Sequence, residues 1–158
     1  MTGLGNETIT VSDANITSGE ANTIDGYTTG AVTATISTTA IADLDDLTGT
    51  GNAYTITVAT ADVTAAALKA VNDATTVAVT ATAVTAITGS ASDLDSIYTS
   101  GVSGLGNETV TVSDADVTAA HLNTINAGTS VNVVATAVTN ITGSRTALAT
   151  TYGGGMTG

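Results

Sequence analysis

The chain reads Thr55-Ile-Thr-Val-Ala-Thr-Ala-Asp-Val-Thr-Ala-Ala-Ala-Leu68 and, 54 residues later, Thr109-Val-Thr-Val-Ser-Asp-Ala-Asp-Val-Thr-Ala-Ala-His-Leu122. The same offset relates Val84-Thr-Ala-Ile-Thr-Gly-Ser90 to Val138-Thr-Asn-Ile-Thr-Gly-Ser144. An earlier copy starts at Glu7-Thr-Ile-Thr-Val11, which matches the segment from Glu108 with an offset of 101 residues; its second half is more divergent. Three tandem repeats therefore cover nearly the whole chain, at approximately residues 7–53, 54–107 and 108–158.

Each repeat divides into two halves with the pattern strand, corner, short helix. In the last copy Val110 and Val112 alternate with polar residues, as in a strand, and Leu122 and Ile125 follow at helical spacing. Thr118 is the predicted N-cap of that helix. Gly128 is its predicted end. The chain thus predicts about six coils of roughly 22 to 30 residues each.

A coil of this length cannot bury its apolar face alone, so it must stack on its neighbours. We expect one solenoid segment over residues 1–158, an α/β fold with one parallel strand and one short helix per coil. Thr8–Val11, Thr55–Val58 and Thr109–Val112 should be parallel strands of one sheet, interleaved with strands from the second halves. An all-β parallel β-helix is the alternative. The Ala-rich stretch Thr64–Val71 favours the helical form.

The alternation also predicts which strand residues face inward. The expected inward columns are Ile9, Val32, Ile56, Val77, Val110 and Val131, and beside them Val11, Ala34, Val58, Val79, Val112 and Val133. The outward positions are rich in threonine, and four coils carry Thr-x-Thr: Thr8 and Thr10, Thr33 and Thr35, Thr55 and Thr57, Thr109 and Thr111. Parallel Thr-x-Thr ladders resemble those of ice-binding solenoids, although threonine also suits any exposed strand position. Ice binding is one alternative function.

Composition excludes several classes of partner. The chain has 14 acidic residues against Lys69 and Arg145, a formal net charge of −12. Phosphate must be met by clustered cations, so we expect no nucleic-acid binding. No apolar run approaches the roughly 20 residues of a membrane span, so we expect no membrane insertion. Cysteine is absent, which leaves no disulfide and no thiolate metal site.

Aspartates recur at the corners between strand and helix, at Asp13, Asp62, Asp114 and Asp116. Stacked carboxylates could hold Ca²⁺, which prefers about six to eight oxygen ligands. Capping of turns and helix ends is the other interpretation of the same residues. The single His121 is predicted to be a solvent-facing helix residue, and neither a catalytic residue nor a cofactor-binding residue is predicted. Ca²⁺ is the one possible cofactor.

The phrases Gly104-Leu-Gly-Asn-Glu108, Thr109-Val-Thr-Val-Ser-Asp114 and Leu122-Asn-Thr-Ile125 resemble the low-complexity repeats of very large surface proteins of cyanobacteria and related marine bacteria. The resemblance implies a secreted or cell-surface array with a structural or adhesive role and no catalytic residues. Met156-Thr-Gly158 repeats Met1-Thr-Gly3, which leads us to expect that the repeat continues in a longer array. The predicted function is a non-enzymatic segment that stacks or continues head to tail into a fibre. A calcium-stiffened adhesin segment is the other alternative.

Overall fold

The computed structural model describes residues 4–154, in which short strands alternate with helices. The strands are β1 (Ile9–Thr10), β2 (Val32–Thr35), β3 (Ala53–Thr55), β4 (Asp62–Thr64), β5 (Val79–Thr80), β6 (Ala86–Gly89), β7 (Val102–Ser103), β8 (Thr109–Val112), β9 (Asp116–Thr118) and β10 (Asn140–Thr142). The helices are α1 (Ser18–Asp25), α2 (Ile41–Leu44), α3 (Ala65–Asp73), α4 (Ala91–Thr99), α5 (Ala119–Gly128) and α6 (Arg145–Gly153). The predicted mixed α/β class is confirmed, and the six helices rule out the all-β alternative.

Every strand pairing within residues 4–154 is parallel. One sheet has the order β1-β2-β3 and another the order β4-β6-β8, while β5 pairs with β7 and β9 with β10. Each pairing joins strands that are near neighbours along the chain, as when Ile9 lies opposite Val32 or Val63 opposite Ile87. Parallel strands need a crossover connection, and one helix lies between the members of each pair.

The 54-residue repeat is visible in the pairing of the backbone. Thr57 lies opposite Thr80, and 54 residues later Thr111 lies opposite Val134. Likewise Asp62 lies opposite Ala86 in β4 and β6, and Asp116 lies opposite Asn140 in β9 and β10. The sequence repeat is therefore also a repeat of the hydrogen-bonded register.

One predicted pairing is wrong. β1 and β3 do flank β2 in one sheet, but β8 lies in the other sheet, next to β6. There Ile87 lies opposite Val63 on one edge and Val110 on the other. The two residues that flank Ile87 are not equivalent in the repeat, because the counterpart of Val63 is Val117, which lies seven residues after Val110. The sequence repeat does not explain this place of β8, because β4 and its counterpart β9 each lie between the preceding strand and a helix.

The helices begin where the sequence provides a hydroxyl side chain. Thr17, Thr64, Ser90, Thr118 and Ser144 are the N-caps of α1, α3, α4, α5 and α6, and each side chain accepts a hydrogen bond from the backbone N–H three residues on. The N-cap predicted at Thr118 and the helix end predicted at Gly128 are both confirmed. The short α2 follows Ala40, which makes no side-chain cap. From α2 to α6 each helix packs against the next one along the chain.

The core is a continuous layer of small and branched residues between strands and helices. Ile56, Val79, Val110 and Val133 are fully or almost fully buried, as predicted, and Leu68, Leu94, Leu122 and Ile125 cover them from the helices. In this layer Tyr54 is the largest fully buried side chain of the described residues. The helix stack approaches the strands closely, since a Cβ added at Gly89 would lie 2.6 Å from the Cβ of Ala65 and one added at Gly143 would lie 2.8 Å from the Cβ of Ala119.

Two residues predicted to face inward are exposed instead. Val77 is 38% exposed and Val131 is 37% exposed. Because Thr57 pairs with Thr80, the residue opposite Ile56 is Val79, two positions later than predicted. A shift of two residues keeps the alternation of inner and outer positions, so the sequence pattern cannot detect it.

Candidate functional site

The outward threonines lie on the surface but do not form one ladder. Thr8, Thr10, Thr33, Thr35, Thr55, Thr57 and Thr109 are exposed and Thr111 is half-buried. Thr10 lies opposite Thr33 and Thr35 opposite Thr55, but Thr33 also lies opposite Ala53. Thr109 and Thr111 belong to the other sheet, opposite Ala86 and Thr88. The eight residues are thus divided between two sheets and staggered within the first.

A different row of threonines crosses the second sheet. Thr64 lies opposite Thr88, and Thr88 lies opposite Thr111. Sequence reasoning missed this row because Thr64 and Thr88 belong to segments that were interpreted as corners rather than strands. The pattern Val-Thr at 63–64 and Ile-Thr at 87–88, each before a helix, is the signal that could have found it.

The four corner aspartates occupy different environments. Asp13 and Asp62 are exposed, and Asp62 is the first residue of β4. Asp116 begins β9, and its Oδ1 accepts a hydrogen bond from Asn140 Nδ2 at 3.0 Å. Asp114 is half-buried, and its Oδ2 accepts a hydrogen bond from the backbone N–H of Ala91 at 2.7 Å.

Asp114 and Asp116 line one shallow cavity of about 300 Å³ together with His121 and Asn140. The counterpart cavity of the preceding repeat has Asp62 but carries Ala67 and Ala86 where His121 and Asn140 lie. Within residues 4–154, no three His, Asp or Glu side chains come together in a group that could hold a metal ion. The calcium hypothesis for these aspartates therefore stays a prediction.

The contact between Asp114 and Ala91 is one of a series in which a residue about 20 positions further along the chain caps the start of a helix. The backbone N–H of Ile41, the first residue of α2, donates to Thr60 Oγ1 at 2.9 Å, and Thr60 is the counterpart of Asp114 one repeat earlier. The N–H of Ser18 in α1 similarly donates to Thr38 Oγ1 at 3.0 Å. A side chain from later in the sequence thus satisfies the first N–H of three helices, an N–H group that has no partner within the helix itself.

The loop that ends at Glu108 carries the best-defined polar cluster. Glu108 is completely buried, and its Oε2 accepts hydrogen bonds from the N–H of Gly106 at 2.6 Å and of Asn107 at 3.0 Å. Gly106 has a φ of 140°, a value that glycine adopts readily. The hydroxyl of Tyr98, from helix α4, donates to Glu108 Oε1. Burial, and then this hydrogen bond to Glu108, raise the pKa of Tyr98 well above its ordinary value.

The loop at Glu7, near the N-terminus, repeats the same geometry. Glu7 Oε2 accepts from the N–H of Gly5 at 2.7 Å and of Asn6 at 3.1 Å, and Gly5 has a φ of 131°. These hydrogen bonds hold the pKa of Glu7 below its ordinary value, and the bond from the Gly5 N–H makes the largest contribution. Within residues 4–154, no tyrosine hydroxyl donates to Glu7 as Tyr98 does to Glu108.

Apolar side chains at the two ends of the described chain are more exposed than their counterparts in the middle. Leu4 is 67% exposed, whereas its counterpart Leu105 packs on the core. Tyr152 is 77% exposed, whereas its counterpart Tyr98 packs on the core. Ile9 and Ile141 are half-buried, although their counterparts Val110 and Ile87 are at most 1% exposed. The two ends thus show surfaces that the same sequence covers elsewhere.

No protein-family model, curated protein or solved structure matches this chain. The helices within residues 4–154 are all too short or too polar to span a membrane. The functional argument therefore depends on the geometry of the chain itself.

Proposed function

We propose that this chain is a structural segment of a solenoid that stacks or continues head to tail into an extended fibre at the cell surface or outside the cell. The observation that carries the proposal is the open pairing edge at each end. Within residues 4–154, β1, the first strand, pairs with β2 alone and β10, the last strand, pairs with β9 alone, whereas β2 and β6 are paired on both edges. Unpaired edges of this kind are templates for a further strand.

The apolar surface at the ends supports the same proposal. Repeat proteins that end their stack normally cover the terminal layer with a polar cap. Here Ile141 and Val138 lie half-buried at one end, and Ile9 and Ile24 at the other. Burying such side chains contributes about 25 cal/mol per Å² of apolar surface. Association would recover this free energy.

The proposed role is non-enzymatic. The chain carries a single histidine, no cysteine and a net charge of −12, which suits a soluble polymer better than binding of anions. The same charge opposes close stacking at low ionic strength. Salt should therefore promote assembly, because the screening length falls from about 30 Å at 0.01 M to about 8 Å at 0.15 M.

A concentration series followed by light scattering and electron microscopy tests the proposal. We expect the apparent mass to rise with protein concentration and with salt, and unbranched fibres to form. A strict monomer at the highest soluble concentration in 0.5 M NaCl would overturn assembly by free copies.

A calcium-stiffened adhesive segment is a second candidate, because Asp114 and Asp116 line the same cavity. Carboxylate oxygens are preferred ligands of Ca²⁺. Ice binding, by contrast, gains no support from the staggered rows of threonine. Its test is the shape of ice crystals grown with the protein.

A further inference from the structure

We propose that the two ends join through one defined contact, in which β10 of one copy pairs in parallel with β1 of a second copy and Ile141 lies opposite Ile9. This inference rests on the proposed head-to-tail stacking and specifies its joint. Three contacts inside the chain supply the template, and the sequence places the counterparts of all three at the two ends.

The first contact is the pairing of β6 with β8. Ile87 lies opposite Val110 there, and Thr88 lies opposite Thr111. The counterparts at the ends are Ile141 for Ile87, at the 54-residue offset, and Ile9 for Val110, at the 101-residue offset. Within the described residues β10 has no second partner and β1 none before it. Pairing the two edges would complete both strands in the register already used inside the chain.

The second contact is the cap of a helix by the following coil. Asp114 accepts from the N–H of Ala91, the first residue of α4. Their counterparts at the ends are Asp13 and Arg145, the first residue of α6. Both are exposed, so the joint would place the Asp13 carboxylate beside the N–H and the guanidinium of Arg145.

Arg145 is well suited to this role. Lys69 forms an ion pair with Asp73 on its own helix, and Arg145 forms none within residues 4–154. A positive charge at the start of a helix is unfavourable by itself, because the helix dipole is positive there. The Asp13 carboxylate of the second copy would remove that cost. The basic side chain of Arg145 would then face an acidic surface.

The third contact is that of Tyr98 with the Glu108 loop. The Glu7 loop has the same hydrogen bonds, and Tyr152 is the exposed counterpart of Tyr98. The joint departs from the template at one place, because Tyr27, 67% exposed, stands where Gly128 lies, and even a Cβ at Gly128 would overlap the ring of Tyr98. Tyr152 therefore cannot take the position of Tyr98 in the joint, and its ring must turn aside. We therefore expect the rings of Tyr152 and Tyr27 to pack against each other beside Glu7, which would cover the two most exposed aromatic side chains of residues 4–154.

A second copy of this chain is the occupant that these contacts specify. A joint between two N-terminal faces would contain two copies of Asp13 and no Arg145. A joint between two C-terminal faces would contain two copies of Arg145 and no Asp13. Only the head-to-tail arrangement pairs the opposite charges, and such a contact does not close on itself.

Disulfide trapping tests the register. The chain has no cysteine, so every disulfide joins introduced residues. Thr10→Cys and Thr142→Cys, both at exposed positions, would lie opposite each other in the proposed pairing, within the distance a disulfide spans. We expect the double variant to form a ladder of covalent dimers, trimers and longer chains on mild oxidation. The matched control combines Thr10→Cys with Asn140→Cys, which lies two residues out of register on the same strand.

Charge exchange tests the Asp13–Arg145 contact in the same chain. Asp13→Arg and Arg145→Asp should each weaken association at least about tenfold, and the double variant should regain most of it. Asp62→Arg makes the same charge change at an exposed position away from both ends. It should not weaken association.

The outcomes separate this joint from the proposed function. If the wild-type chain assembles but the in-register pair traps no faster than the out-of-register pair, the joint is wrong and stacking stands. If the wild-type chain is monomeric by light scattering but the in-register cysteine variant alone forms the ladder, the joint is correct. The proposal of a stable fibre is then wrong. If neither assembly nor trapping occurs, both are overturned.

Discussion

The hydroxyl of Tyr98 donates a hydrogen bond to the completely buried carboxylate of Glu108, ten positions further along the chain. Backbone N–H groups of Gly106 and Asn107 satisfy the other carboxylate oxygen. This side chain therefore lies in the interior with every oxygen partnered, and removing one donor should be costly. We expect Tyr98→Phe to lower the free energy of unfolding at pH 7 by about 1 to 3 kcal/mol in urea titrations. An unchanged stability would contradict the hydrogen bond.

The same residue predicts a loss of stability in alkali. Burial and the hydrogen bond to Glu108 raise the pKa of Tyr98 in the folded state, so folding favours the neutral phenol. This contribution is fully present below the unfolded pKa of about 10 and is lost as pH rises above it, by at most about 1.4 kcal/mol per pH unit. Urea titrations between pH 9 and 11.5 should show a shallower decline for Tyr98→Phe than for the wild type. Parallel declines would contradict the assignment.

Tyr54 predicts the opposite response to the same substitution. Its side chain is completely buried, and its hydroxyl has no hydrogen-bond partner within the described residues. Burial, and then the nearby charge of Asp25, raise its pKa to about 12. Because a buried hydroxyl without a partner is unfavourable, Tyr54→Phe should leave stability equal or raise it by up to about 1 kcal/mol. A loss larger than 1 kcal/mol in thermal or urea unfolding would show that the hydroxyl is satisfied.

The inside and outside positions of β8 predict unequal effects of one added charge. Val112 is completely buried and Thr109, on the same strand, is exposed. Val112→Asp should cost several kcal/mol, because the carboxylate would lose its hydration without gaining a partner. Thr109→Asp should change stability by less than about 1 kcal/mol. Equal losses of stability in the two variants, measured by thermal unfolding, would show that the assigned register of this strand is wrong.

The calcium hypothesis predicts a ligand-dependent melting temperature. If Asp114 and Asp116 hold Ca²⁺, a concentration of 100 times Kd should stabilise the fold by about 2.7 kcal/mol. Comparison with Mg²⁺ at equal ionic strength removes the general screening of the −12 charge. The rise should disappear in the Asp116→Asn variant and persist in Asp43→Asn, whose exposed aspartate lines neither of the two cavities. A rise in melting temperature of the same size in both variants would show that Asp116 does not take part in a calcium site.

The sequence by itself determined the features that depend on short stretches of chain. The 54-residue offset predicted the repeat, the hydroxyl of Thr118 predicted where α5 begins, and alternation placed Val112 inside. Thr64–Val71 was predicted to be helical from its alanines, and α3 covers residues 65–73. Each of these rests on a local preference, which the neighbouring residues alone express.

The tertiary structure alone decided which coils meet and in what register. Alternation has a period of two, so it could not distinguish Val77 from Val79 as the partner of Ile56. The 54-residue repeat did not specify the place of β8 beside β6, because Thr55, the counterpart of Thr109, lies in another sheet beside β2. The pairs Tyr98–Glu108 and Ala91–Asp114 join residues of successive coils, and no local pattern specifies them. Their formation depends on how the strands and helices pack together, because only packing brings such groups within hydrogen-bonding distance.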